Sequence, residues 1–121
     1  MSIRYSIVGT HFRGKDAEVA LKQLKVGDAV MLVREAGNKF DANAVAIYVG
    51  EQHIGYIPKG KNAEIARRLD AAIAAMPAVP TEAERMAMDA NPPDRIPATF
   101  CLSPNSAYPQ VQIEEYSSGQ S

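Results

Sequence analysis

Apolar and polar residues alternate with a period of two at the start of the chain, which is the pattern of a half-buried β-strand. Ile3, Tyr5 and Ile7 alternate with polar neighbours, and the pattern ends at Gly9. Residues 29–33 are apolar throughout and follow a Gly-Asp turn signal. A continuous apolar run of this length predicts a central strand.

Two further β-rich runs, at residues 44–49 and 52–57, predict a hairpin. Only Gly50 and Glu51 separate them. Glycine adopts the positive φ that two-residue hairpin turns demand, so this spacing suits a tight turn. Pro58 lacks the N–H that a sheet ladder needs and is predicted to end the second strand.

The spacing of apolar residues indicates one helix. Ile65, Leu69 and Ile73 recur every four residues and form an apolar stripe, and Asn62 is predicted to cap the helix that carries it. Residues 16–24 fit either a short helix or a turn-rich connection.

The C-terminal third changes composition. Residues 76–97 contain five prolines, and Thr81 and Glu84 have the spacing of a capping box, so we expect a long loop that carries one short helix. The remaining predictions are a final strand pair at residues 99–102 and 110–116 and a disordered tail at residues 117–121.

Together these elements predict a mainly β domain of the α+β class, with five or six short strands and one or two helices. We expect a small, OB-like, partly closed β-barrel, because closure removes the exposed edges of short strands. A chain of 121 residues suits one hydrophobic core, which predicts a single domain over residues 1–116.

Composition narrows the classes of function. No apolar run is long enough to span a bilayer, and no leader pattern precedes the first strand, so we expect no membrane partner and a cytoplasmic protein. Cys101 is the single cysteine, and His11 and His53 are the only histidines. This set offers no disulfide and no spaced zinc ligands, so neither a metal nor another cofactor is expected.

The charge is unevenly distributed. Residues 1–75 hold eleven Lys and Arg against eight Asp and Glu, whereas residues 76–121 hold two against six. The first part can therefore present a local phosphate-binding surface, although the net charge of −1 argues against nonspecific coating of nucleic acid.

Two ordered segments carry a specific resemblance. The first is Arg-Glu-Ala-Gly-Asn-Lys-Phe-Asp-Ala-Asn-Ala-Val at residues 34–45, and the second is Ile-Gly-Tyr-Ile-Pro-Lys at residues 54–59. With Ile-Val-Gly-Thr-His-Phe-Arg-Gly at residues 7–14, they resemble the HIRAN domain family over most of residues 3–75.

The resemblance implies an OB-like barrel, alone or attached to helicase-type remodelling enzymes, that captures the 3′ end of single-stranded DNA. It implies a role near DNA repair, with a helicase or another DNA-processing protein as a further partner. No Gly-x-x-x-x-Gly-Lys-Ser/Thr loop is present, so the ATPase activity of larger members is not carried over.

The resemblance, together with residue chemistry, selects a set of candidate DNA-binding residues with aromatic, cationic or hydrogen-bonding side chains. They are His11, Phe12, Arg13, Asn38, Phe40, Asp41, Tyr56 and Lys59.

Several candidates have a structural alternative, and for Lys59 it is a solvated side chain. Phe40 either stacks on a base or plugs the bottom of the barrel. Asp41 either accepts a hydrogen bond from a terminal hydroxyl or bonds nearby backbone amides in a turn. Asn38 is favoured for DNA contact and Asn43 for structure, while Arg34 is expected to pair with a carboxylate.

Three classes of function remain open. A DNA-binding module without catalysis is the main expectation. A protein-interaction adaptor that uses the acidic, Pro-rich C-terminal third is the first alternative. A nuclease or hydrolase component is the second, and it is disfavoured because no carboxylate cluster or activated nucleophile is present. The oligomeric state is not indicated by the sequence.

Overall fold

The computed structural model describes residues 2–104 and 108–114. The predicted end of the last strand at residues 115–116 and the predicted tail at residues 117–121 lie outside them. The strands are β1 (Ser2–Ser6), β2 (Ala29–Arg34), β3 (Val45–Val49), β4 (Gln52–Tyr56), β5 (Arg95–Leu102) and β6 (Pro109–Glu114). The helices are α1 (Lys15–Gln23), α2 (Ala63–Ala74) and α3 (Glu82–Ala90), with a 3-10 helix at Thr10–Arg13.

The strands form one antiparallel sheet in the order β1-β6-β5-β2-β3-β4. The two outer strands of the sheet, β1 and β4, come together at Val8, just after the end of β1. There, Val8 N donates to Tyr56 O at 3.0 Å and Tyr56 N donates to Val8 O at 2.9 Å. The sheet thus curls into a half-barrel joined at one bridge, and the predicted OB-like, mainly β fold is confirmed.

The core lies on the inner face of the curled sheet and is covered by α2. Alternate residues of the strands point inward, as the period-two pattern predicts, and α2 contributes Ile65, Ala66 and Leu69 to the same cluster. The largest completely enclosed side chains are Leu32, Ile47, Ile54, Ile57, Ile65, Leu69, Val45, Val111 and Asn62.

Two ambiguous segments are resolved. Residues 16–24 belong to α1, and the predicted short helix within residues 76–97 is α3 with a complete capping box between Thr81 and Glu84. The strand predicted at residues 99–102 begins earlier, at Arg95, and therefore includes Pro97.

Proline is compatible with β5 because of the direction its nitrogen faces. Phe100 N donates to Asp28 O, beside β2, and donor direction alternates along a strand, so the nitrogen of Pro97 faces β6. The ladder between β5 and β6 begins only at Thr99. Pro97 therefore removes no ladder hydrogen bond, which is the condition under which sheets accept proline.

Gly55 allows the barrel to close. A Cβ atom added there would lie 2.8 Å from both Ile7 Cγ2 and Val8 O, which is closer than real contacts permit. A side chain at this position would push apart the two segments that form the closing bridge.

We expect Gly55→Ala to lower the free energy of unfolding by about 1–3 kcal/mol, the usual cost of overpacking. Gly37→Ala is the matched control, because no atom lies within 4 Å of its added Cβ. Urea unfolding of the two variants measures the difference. Equal stability of both variants would show that the bridge does not need Gly55.

Candidate nucleic-acid interface

Asn38 shapes the loop between β2 and β3. Its Oδ1 accepts hydrogen bonds from Phe40 N at 2.8 Å and Asp41 N at 3.0 Å, and its Nδ2 donates to Glu35 Oε1 at 2.7 Å. The side chain predicted to contact DNA thus organises the turn that presents Phe40 and Asp41.

Both oxygens of Asp41 accept hydrogen bonds. Asn43 N donates to Oδ1 at 2.9 Å, and Asn62 Nδ2 donates to Oδ2 at 2.8 Å. Burial alone would raise the pKa of Asp41, but these bonds and the charges of Lys59 and Arg34 together lower it. The carboxylate is therefore charged at neutral pH, and each oxygen keeps a second lone pair for another donor.

Asn62 corrects one sequence prediction. It stands at the start of α2, yet its side chain makes no capping hydrogen bond to the helix. The side chain is buried, with 1% of its surface exposed, and holds Asp41 instead. A buried amide needs a polar partner, and here the partner is the candidate binding loop.

Arg34 anchors the other side of the loop. Its Nη1 donates to Ala44 O at 3.0 Å and its Nη2 donates to Ala42 O at 2.8 Å. Its Nε also pairs with Asp70 of α2 at 2.8 Å, and the Arg34 side chain is only 6% exposed. The expected pairing with a carboxylate is confirmed.

Two phenylalanine rings are exposed to solvent. Phe40 is 87% exposed and Phe12 is 81% exposed. Phe40 therefore does not plug the barrel. The ring of His11 lies on that of Phe12 with centroids 4.0 Å apart. An exposed aromatic ring next to polar groups is the kind of surface on which nucleobases stack.

Tyr56 connects the loop after β2 with the 3-10 helix at Thr10–Arg13. Its hydroxyl donates to Glu35 Oε1 at 2.7 Å and accepts from Arg13 Nη1 at 3.4 Å. Burial and the hydrogen bond to Glu35 raise the pKa of Tyr56, so the phenol stays neutral. Arg13, at the end of the 3-10 helix, is thereby brought beside the loop that follows β2.

Lys59 lies next to the backbone of Phe40. Its Nζ donates to Phe40 O at 3.2 Å, and its charge helps to lower the pKa of Asp41. The side chain is exposed, so the ammonium is available to a phosphate.

The structure thus links Asn38, Phe40, Asp41 and Lys59 through one loop and joins Arg13 to them through Tyr56. His11 and Phe12 contact each other and reach this group through their neighbour Arg13. Sequence reasoning missed Glu35 and Asn62. Both partners lie far apart in the sequence from Tyr56 and Asp41, and only the fold brings them together.

Within residues 2–104 and 108–114, no three His, Cys, Asp or Glu side chains are grouped so that they could hold a metal ion. No helix in the described part of the chain is long and apolar enough to cross a membrane.

Comparison with known proteins decides the family. The profile of the HIRAN domain matches residues 1–91, three quarters of the chain. The chain belongs to the HIRAN domain family. HIRAN domains are a family of DNA-binding modules. No curated protein matches this sequence significantly.

Two solved structures have the same fold. A Lactobacillus plantarum protein superposes with a TM-score of 0.54 at 20% identity, covering 94% of this chain and 98% of that one. The HIRAN domain of human HLTF superposes with a TM-score of 0.50 at 18% identity, covering 92% of this chain and 71% of that one. At these identities, the likeness is one of fold.

Arg34→Met should lower the free energy of unfolding by about 1.5–3 kcal/mol, because it removes hydrogen bonds from a charged donor to two carbonyls and a carboxylate. Arg67→Met, an exposed position on α2, is the control and should stay within about 0.5 kcal/mol of wild type.

Asp70→Asn should cost less than Arg34→Met, since the two carbonyl bonds remain. Denaturant unfolding measures all three variants. A loss for Arg34→Met no larger than that of the control would show that the loop does not depend on this anchor.

Proposed function

We propose that this HIRAN domain binds single-stranded DNA at a free 3′-hydroxyl end, without catalysis. The observation that carries the proposal is the loop at residues 38–41, where an exposed phenyl ring and a fixed carboxylate stand next to each other. Stacking and hydrogen bonding to a terminal nucleotide need both groups at one place.

The phenyl rings supply the stacking surfaces. Burying the exposed face of Phe40 against a base is worth roughly 1–3 kcal/mol, and every base offers such a face. Phe12, in the 3-10 helix, and Tyr56, whose hydroxyl accepts a hydrogen bond from Arg13 of the same 3-10 helix, provide rings for the neighbouring base. Stacking does not depend on sequence, which suits an end-binding module.

Asp41 supplies the preference for an end. An internal phosphate is repelled by its carboxylate, whereas a 3′ hydroxyl donates to it. Because Asn43 and Asn62 hold the carboxylate in place, the free lone pairs are fixed before DNA arrives. This pre-organisation lowers the entropy cost of binding.

Lys59 and Arg13 supply the positive charge. Lys59 donates to the backbone of Phe40 and Arg13 donates to the Tyr56 hydroxyl, so both cations belong to the surface on which a strand with its terminal base on Phe40 would place its phosphates. Such contacts position a strand without reading its sequence.

A protein-interaction adaptor is the second candidate, and one observation favours it. Helix α3 buries none of its residues, and Met86 is 66% exposed on it. An adaptor would bind a protein through this helix and show no salt-sensitive affinity for DNA.

Phe40→Ala should weaken single-strand binding by about five-fold or more while leaving the thermal midpoint unchanged, because the ring is exposed. Tyr108→Ala, at an exposed aromatic between β5 and β6, is the matched control and should leave both unchanged. Fluorescence anisotropy and thermal unfolding test the pair. A lowered midpoint with unchanged affinity would assign Phe40 a structural role.

End preference is tested with strands of one sequence that end in a 3′ hydroxyl, end in a 3′ phosphate, or are circular. A hydrogen bond to a charged group is worth about 1.5–3 kcal/mol, so the hydroxyl end should bind about ten-fold tighter or more. Asp41→Asn should shrink that ratio, whereas Asp89→Asn on α3 should preserve it. Equal binding of the three strands by wild type would contradict end capture.

A further inference from the structure

We propose that a cavity on the outer face of the sheet is a second nucleotide subsite, which holds the strand on the 5′ side of the nucleotide at Phe40. This inference rests on the proposed function. It extends the DNA path from the loop after β2 across the sheet to Tyr48 and Arg95.

The cavity has a volume of about 540 Å³, within the range of roughly 300–1,000 Å³ that is usual for small-ligand sites. Its lining combines apolar, aromatic and charged side chains. Met31, Val33, Tyr48, Glu51 and Arg95 are among the residues that line it.

The sheet register places this cavity on the same face as Tyr56 and Glu35 of the candidate site. Leu32 and Ile47 point into the core, so their neighbours Met31 and Tyr48, which pair with each other, point outward. Glu35, which binds Tyr56, follows Val33 by two residues on the same side of the chain. The cavity therefore shares the outer face of the sheet with Tyr56 and Glu35, the pair that joins Arg13 to the loop after β2.

A row of three rings joins them. Tyr56 and His53 meet edge to face with centroids 4.8 Å apart, and His53 stacks on Tyr48 with centroids 4.9 Å apart. Nε2 of His53 lies 2.9 Å from Gly55 O, which requires a proton on that nitrogen for a hydrogen bond and fixes the ring. Burial lowers the pKa of His53, so the ring is neutral at pH 7.

The spacing of this row suits successive nucleotides. The ring centroids of Tyr56 and Tyr48 cannot lie farther apart than the 4.8 Å and 4.9 Å steps through His53 allow when added together. A stack of about two or three nucleotides, at 3.4 Å each, covers that length. OB folds usually hold about 4–16 nucleotides of single strand, more than an end pocket alone accommodates.

The charges at the cavity define what it accepts. Arg95 is 40% exposed and pairs with Asp94 at 3.0 Å, so it offers a guanidinium to a phosphate only in competition with a carboxylate. Glu51 adds a second negative charge to the lining. The apolar wall and the Tyr48 ring thus provide most of the contact, and a base is the group that fits them.

The test compares 3′-hydroxyl thymidine oligonucleotides of two and six nucleotides by anisotropy at low salt. Wild type should bind the hexanucleotide more tightly. Tyr48→Ala should weaken hexanucleotide binding about five-fold or more and leave dinucleotide binding unchanged. Tyr108→Ala, the exposed aromatic control, should change neither.

Two charge variants test the subsite without removing the Tyr48 ring, whose loss could also disturb local packing. Arg95→Gln should lower the salt slope of hexanucleotide binding by up to about 0.7, because Asp94 competes with the phosphate for the guanidinium, and should leave the dinucleotide slope unaltered. Glu51→Gln should strengthen hexanucleotide binding alone. Equal effects of Tyr48→Ala on both lengths, or no effect of any of the three variants on the hexanucleotide, would overturn the subsite.

A circular hexanucleotide separates this inference from end capture. If the circle binds as tightly as the linear strand, end capture fails. Loss of that binding in Tyr48→Ala would still support the subsite, whereas binding unaffected by Tyr48→Ala would overturn it. Amide signals of Met31 and Tyr48 in NMR spectra should shift with six nucleotides and not with two, and the reverse pattern also overturns the proposal.

Discussion

The guanidinium of Arg34 determines where the candidate site stands. Arg34 is the last residue of the central strand β2. Its guanidinium donates hydrogen bonds to two backbone carbonyls of the following loop and pairs with Asp70 on the helix that covers the core. A flexible loop would lose much of its binding energy to ordering, and this anchor supplies the order in advance. The interaction thus connects the stability of the barrel with the geometry of the candidate binding surface.

The side chains of the loop divide into two groups with different tasks. Asn38 and Asn62 use their amides internally, to fix the turn and the Asp41 carboxylate. Phe40 and Lys59 remain exposed. Exposing a large ring to water forgoes the free energy of burying it, which is roughly 1.5–3 kcal/mol for a phenylalanine.

Local signals made much of the fold predictable. Alternation identified β1, the glycine at position 50 identified the hairpin, and Thr81 with Glu84 identified the start of α3, because each feature depends on neighbours in the sequence. The extension of β5 through Pro97 was not predictable, since it depends on which side of the strand lacks a partner.

The same distinction applies to the site. The family motif selected the loop, and residue type selected its aromatic and cationic members. The roles of the side chains within the loop could be assigned only from the folded structure. Asn62 was expected to cap a helix, but its side chain donates a hydrogen bond to the carboxylate of Asp41, 21 positions earlier in the chain. Whether Phe40 fills the barrel or lies exposed also depended on the fold, because local sequence does not show which side chains of a loop face solvent. The ring is exposed, and its stacking on a base stays a prediction.

In the proposed complex, the loop carrying Phe40 and Asp41 receives the terminal nucleotide of a single strand. The decisive experiment is a crystal structure of the chain with a short 3′-hydroxyl oligonucleotide. We expect the last base on the ring of Phe40 and the 3′ oxygen within about 2.5–3.0 Å of an Asp41 carboxylate oxygen. Internal nucleotides at Phe40, with the 3′ end in solvent and Asp41 unliganded, would contradict it.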